Sequence, residues 1–157
     1  MSFDVFLQRF ENGDVAEAQR EPVLAVLRKT SFRGPDEFGF YIIAFPDRVE
    51  VEFSAKGLEL KDRFTGCAFF IRGFGKHLAE FIYQVARAGD MVIMPAMEGN
   101  PLIFVSDGQR PHVPADSLER SRPVVVKSPE ELGALLTGGF DGWSVYRDQV
   151  VGKRKRR

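Results

Sequence analysis

"GCAFFIRGFGKHLAEFIYQVARAG", residues 66 to 89, is the stretch on which the fold turns. It opens with a short, continuous apolar run, the pattern of a largely buried strand. Gly73 and Gly75 then interrupt the run. From Lys76 the periodicity changes: Leu78, Phe81, Ile82 and Val85 recur at i, i+3, i+4 and i+7, while Lys76, Glu80, Gln84 and Arg87 occupy the other face. That is the apolar stripe of an amphipathic helix over 76–88, with Gly89 placed to cap its end. A strand that passes straight into a helix implies a core shared by sheet and helix.

The flanking segments supply the rest of the sheet. In "FYIIAFPDRVEVEFSA", residues 40 to 55, Pro46-Asp47 makes a turn between two strands. Val49, Val51 and Phe53 alternate there with Arg48, Glu50 and Glu52, as in a sheet with one wet face. Phe3, Val5 and Leu7 alternate in the same way with Asp4, Phe6 and Gln8, and Asn12-Gly13 follows as a turn signal. Pro22 then sits in the first turn of a helix carrying Val23, Val26 and Leu27, which ends near Thr30. "SFRGPDEFG" reads as a loop, and "GLELKDR" extends the preceding strand or adds a short one.

Beyond the central helix, "MVIMPA" and "PLIFVSDG" read as two strands around "MEGNP", and "RPVVV" as another. Ser128 and Glu131 form a capping box with Pro129 in the first helical position, and Gly138-Gly139 reads as the stop of that helix. "DGWSVYRDQVV" then makes a final amphipathic segment with Trp143, Tyr146 and Val150 as packing anchors. The expected architecture is α+β: a mainly antiparallel sheet of about five to seven strands with helices mostly on one face. Residues 1–152 form a single domain and 153–157 a basic tail.

Composition narrows the class of function. With 157 residues, 44% of them hydrophobic and 15 of them Phe, the chain is long enough for one substantial core. Its apolar runs fall short of the roughly 20 residues that cross a bilayer, so no membrane role is expected. The start lacks the basic and apolar pattern of a secretory signal, and Cys67 is the only cysteine, so a reducing cytoplasm is the expected compartment. The net charge of zero hides an asymmetry: Lys153 to Arg157 carry five positive charges, leaving 17 Lys and Arg against 22 Asp and Glu, or −5, in the body.

No motif supplies a catalytic constellation or a cofactor. Gly73, Gly75, Lys76 and His77 sit where a strand meets a helix N-terminus, a place that can hold an anion or phosphate. They match neither a P-loop nor a dinucleotide fingerprint, and a structural turn is the ordinary reading. Cys67 and His77 form no distinctive nucleophilic pair, and the "GCAFF" setting makes Cys67 a core thiol. His77 and His112 lie 35 positions apart with no carboxylate or thiol in a ligand spacing, so no metal is expected. Asp36, Glu37, Asp47, Glu50 and Glu52 could form an acidic surface for a basic protein partner. The tail resembles a nucleic-acid contact, but no aromatic interleaves it and the body repels polyanions, so a solvated tail is the ordinary reading.

The opening "MSFDVFLQRFENGD" and the close "VVVKSPEELGALLTGGFDGWSVYRDQV" resemble small bacterial proteins, some of which occur as candidate immunity proteins beside secreted toxins. The resemblance covers the two ends of the chain and transfers no functional residue. It implies a cytoplasmic single-domain protein that neutralises a toxin by occluding it. Two other readings stand beside this one: a small enzyme or ligand-binding domain using the Gly73–His77 turn, with Lys76 as the electrostatic contact and His77 as acid or base, and a nucleic-acid accessory protein using the tail. The oligomeric state is left open.

Overall fold

The computed structural model describes residues 1–59 and 63–155, with the backbone alone from residue 152 onward. Three strands form the middle of the sheet: β1 (Phe3–Gln8), β6 (Glu50–Ser54) and β7 (Gly66–Ile71). β7 lies between the other two and is antiparallel to both, with Val5 opposite Phe69 and Phe69 opposite Phe53. Outward from β6 come β5 (Phe40–Ala44) and β4 (Ser31–Arg33); outward from β1 come β8 (Val92–Pro95), β9 (Pro101–Phe104) and β10 (Arg122–Val125).

The chain is therefore α+β, with an eight-stranded sheet in the order β10-β9-β8-β1-β7-β6-β5-β4, one strand more than the upper expectation. The extra strand is β4, which "SFRGPDEFG" concealed. Phe32 lies opposite Ile43 and packs against the core, so pairing overrides the loop-like composition at that end. A separate ribbon of β2 (Phe10–Glu11) and β3 (Asp14–Val15) turns at Asn12-Gly13, both with positive φ as a two-residue hairpin requires. β10 runs parallel to β9, reached through a 3₁₀ helix (Asp107–His112) and α3 (Ala115–Arg120).

Alternation assigns the two faces. Phe3, Val5, Leu7, Phe53, Phe69, Ile71 and Ile93 point to one side and are buried. Against them lie α1 (Arg20–Leu27), α2 (Lys76–Gly89) and the first part of α4 (Pro129–Lys155). Phe53 and Phe69 stack at 4.9 Å, and Phe81 of α2 meets them edge-on at 5.7 and 5.9 Å. These rings bury large apolar areas and prefer tilted or offset contacts, so they set the depth at which α2 sits on the sheet.

Two helix ends differ from expectation for the same reason. Gly89 is the last residue of α2 and Asp90 takes the left-handed conformation instead. A Cβ on Gly89 would come within 2.5 Å of Met91 Cε and 3.2 Å of Val23 Cγ2, so the glycine permits close packing of α1 on α2. Likewise Gly138-Gly139 does not stop α4, which continues to Lys155. Gly139 presses against the sheet, where a Cβ would meet Met97 Sδ at 2.7 Å and Phe3 Cζ at 3.0 Å. The start of α4 shows one half of the capping box, Ser128 Oγ accepting the Glu131 N–H at 3.1 Å, while Glu131 Oε2 reaches one residue further back and accepts the Lys127 N–H at 2.8 Å.

The other side of the sheet is covered only toward β8 and β9. Val113 and Leu118 pack there on Val92, Leu102 and Phe104. From β1 to β4 no helix among the described residues lies over that side.

Candidate functional site

The uncovered side has an ordered arrangement that follows from strand register. One row across the strands runs Met94, Phe6, Ala68, Ser54, Phe40, and the next runs Asp4, Phe70, Glu52, Ile42, Arg33. Phe6 is 43% exposed and Phe40 37% exposed, and Phe40 lies 6.2 Å from Phe70 between ring centres. Three phenylalanines thus stand on a face that a monomer with one wet sheet surface would fill with polar residues.

Charged residues lie at both ends of the strands. At one end, an open hollow of about 790 Å³ is lined by Phe6, Gln8, Lys56, Arg63, Thr65 and Met94. Its two cations form no ion pair with a described residue. At the other end lie Asp4, Glu52 and Glu50, the last opposite Ala44. Arg72 Nη1 reaches Glu52 Oε1 at 3.1 Å, in a pair whose side chains are 54% and 39% exposed and which is therefore worth little in stability. The face is apolar in the middle, with Lys56 and Arg63 at one end and Asp4, Glu50 and Glu52 interspersed with Arg33 and Arg72 at the other.

Of the acidic residues singled out in the sequence, Glu50 and Glu52 share this face, two residues apart on β6. The others are directed elsewhere. Asp36 Oδ1 accepts the backbone N–H groups of Phe38 and Phe40, each at 2.9 Å, which folds the loop before β5. Glu37 stands exposed in that same loop. Asp47 lies in the turn at the opposite end of the β5–β6 hairpin, where its Oδ1 accepts the Val49 N–H at 3.2 Å. The five carboxylates do not form one patch.

The glycine turn has an internal answer to its positive helix end. The Asp47 carboxylate sits against Gly75, the residue preceding the first turn of α2, so close that a Cβ on Gly75 would collide with it. A carboxylate at a helix N-terminus is favourably placed in the dipole field, and a ligand phosphate arriving there would meet its negative charge. Lys76 and His77 also diverge. Lys76 borders a cleft between α2 and α4 with Phe74, Glu80, Glu130 and Phe140, whereas His77 borders one beside Phe45 and Lys29. His77 Nδ1 lies 3.9 Å from Glu80 Oε2. Gly73 has open space where a Cβ would point.

Cys67 is buried on the core side of β7, and that burial pushes its thiol well above the ordinary range, so the nucleophilic thiolate is disfavoured. His112 is engaged at the hairpin: its Nδ1 accepts the Asn12 N–H at 3.2 Å and its carbonyl accepts the Gly13 N–H at 2.9 Å. Among the described residues no three His, Cys, Asp or Glu side chains converge as metal ligands. No helix among them is long and apolar enough to cross a membrane.

Sequence reading marked Glu50 and Glu52 as a wet face but missed the aromatic row. Phe6 and Phe40 look like core residues in the sequence, because the aromatic count alone suggests an interior. The signal was present in the alternation, which placed Phe6 with Asp4 and Gln8. No family model matches the chain, and no curated protein or solved structure matches it.

Proposed function

We propose that this protein is a non-enzymatic binding module that occludes a partner protein, of the toxin-immunity kind implied by the resemblance of its two ends, through the open side of its sheet. One observation carries the reading: Phe6, Phe40 and Phe70 stand in the middle of a sheet face that no helix among the described residues covers there, with charged residues at both of its ends. Apolar anchors of this kind supply affinity when desolvated, and the charged margins fix orientation and speed encounter. A basic partner surface would approach over Glu50 and Glu52. The inward thiol of Cys67 and the carboxylate beside Gly75 agree with a protein that binds without catalysing.

The reading requires a toxin domain encoded next to this chain, and the test pairs the two. Co-expression should protect cells from that domain, and the purified pair should form a complex. Replacing Phe6 and Phe40 together by Ser should weaken the complex at least tenfold while thermal stability changes little, and Glu50→Lys with Glu52→Lys should slow association most at low salt. Absence of both protection and complex formation would reject the reading.

A further inference from the structure

A second open hollow, of about 750 Å³, lies between residues 96–99, in the turn that joins β8 to β9, and the flank of α4. That volume is in the range of small-molecule sites. The glycines of α4 leave it open. Gly138 and Gly142 stand about one turn apart on its lining, and neither has an atom within 4 Å of a Cβ position, so no packing within the chain demands a glycine at either place. Each weakens the helix relative to alanine. Gly139 beside them is different, because Met97 and Phe3 close over it. The flank is thus bare helix backbone with Trp143 and Tyr146 as an aromatic wall, and Tyr146 is 58% exposed.

Two unpaired charges border the same space. Arg122, at the start of β10, brings the centre of its guanidinium to 3.7 Å from where a Cβ on Gly99 would stand. Its side chain forms no ion pair or hydrogen bond with a described residue, and neither does that of Glu98, which also lines the hollow. Arg147, by contrast, is occupied: it lies over the Trp143 ring at 4.9 Å and pairs with Asp148 at 3.3 Å. The indole Nε1 of Trp143 is buried with no acceptor among the described residues, a state that folded proteins seldom leave without a reason.

We propose that this hollow binds a small zwitterion with a flat apolar group, an aromatic α-amino acid. The Arg122 guanidinium takes the carboxylate, for which its fork of donors is matched, and Glu98 takes the ammonium. The ring lies over Gly138 and Gly142, beside Trp143 and Tyr146. A ligand with one charge leaves either Arg122 or Glu98 unmatched, whereas a zwitterion meets both, and that difference is the source of selectivity. Entry of a ligand oxygen beside the indole supplies the acceptor that Nε1 lacks. The hollow borders α4 on the helix-covered side of the sheet, so it requires nothing of the docking reading.

Trp143 is the only tryptophan of the chain, so its indole N–H gives a single magnetic-resonance signal in isotope-labelled protein. L-phenylalanine or L-tryptophan should move that signal saturably. Phenylacetate and phenethylamine, each lacking one of the two charges, should bind at least tenfold more weakly. Arg122→Gln should weaken binding of the amino acid at least tenfold and leave phenethylamine unchanged, while Glu98→Gln should weaken the amino acid and leave phenylacetate unchanged, a split that misfolding cannot produce. Gly142→Leu fills the hollow and should abolish binding without lowering the melting temperature, because leucine is favoured over glycine in a helix. A signal unmoved by either amino acid at about 10 mM, well above a millimolar Kd, would overturn the proposal. Phenylacetate or phenethylamine binding as tightly as the amino acid, or variants that bind as the parent does, would overturn it equally.

Discussion

Gln109 shows how much a single side chain can hold together. It is 4% exposed, and each of its amide atoms is used: Oε1 accepts the Val105 N–H at 2.9 Å, while Nε2 donates to the Met91 carbonyl at 3.0 Å and to Asp90 Oδ1 at 3.2 Å. The 3₁₀ helix is thereby tied to the end of α2 and the start of β8. Gln109→Leu keeps the volume but leaves those buried groups unpaired, so it should cost about 1–3 kcal/mol in chemical denaturation. Tyr41 and Cys67 make a second prediction. Burial raises both proton affinities, and the Tyr41 hydroxyl also donates to Glu59 Oε2 at 2.7 Å. The folded state therefore holds protons that the unfolded state releases above the ordinary thiol and phenol values of about 8.5 and 10. Their stabilisation is complete below that range and falls as pH rises through it. Melting temperature should drop between pH 7.5 and 10.5, and the drop should be shallower in Tyr41→Phe combined with Cys67→Ala; an equal drop would refute the assignment.

At the scale of elements, α4 separates propensity from packing. Gly138 and Gly142 have nothing within 4 Å of a Cβ position, whereas Gly139 abuts Phe3 and Met97. Ala is favoured over Gly inside a helix by about 1 kcal/mol. Gly138→Ala should therefore raise the melting temperature, and Gly139→Ala should fail to do so because the new methyl meets the Phe3 ring. Equal gains at both positions would show that Gly139 is not a packing residue. The helix also shows what was legible beforehand. Its start was, because Ser128, Pro129 and Glu131 act locally on the first turn. Its continuation was not, since two adjacent glycines look like a stop unless the sheet beneath one of them is known.

For the whole molecule, the sheet divides the aromatic residues by role. Phe81→Ala removes a ring seated against both Phe53 and Phe69 and should cost about 3–5 kcal/mol. Phe6→Ala should cost much less, because its ring already meets water. Calorimetry on the two variants checks the division, and similar losses would mean that Phe6 belongs to the core.

The sequence by itself determined the α+β class, the central strand-to-helix passage, the turn at Asn12-Gly13, the hairpin at Pro46-Asp47, and the side to which Phe3, Val5 and Leu7 point. All of these depend on periodicity and turn chemistry, which act over a few residues. Only the tertiary structure decided that β4 joins the sheet, that β10 runs parallel to β9, that Asp47 lies at the start of α2, and that Phe6, Phe40 and Phe70 gather on an open face. Those outcomes depend on which strand becomes whose neighbour. Such pairings join residues far apart in the chain through backbone hydrogen bonds that every side chain shares, so local composition carries little trace of them.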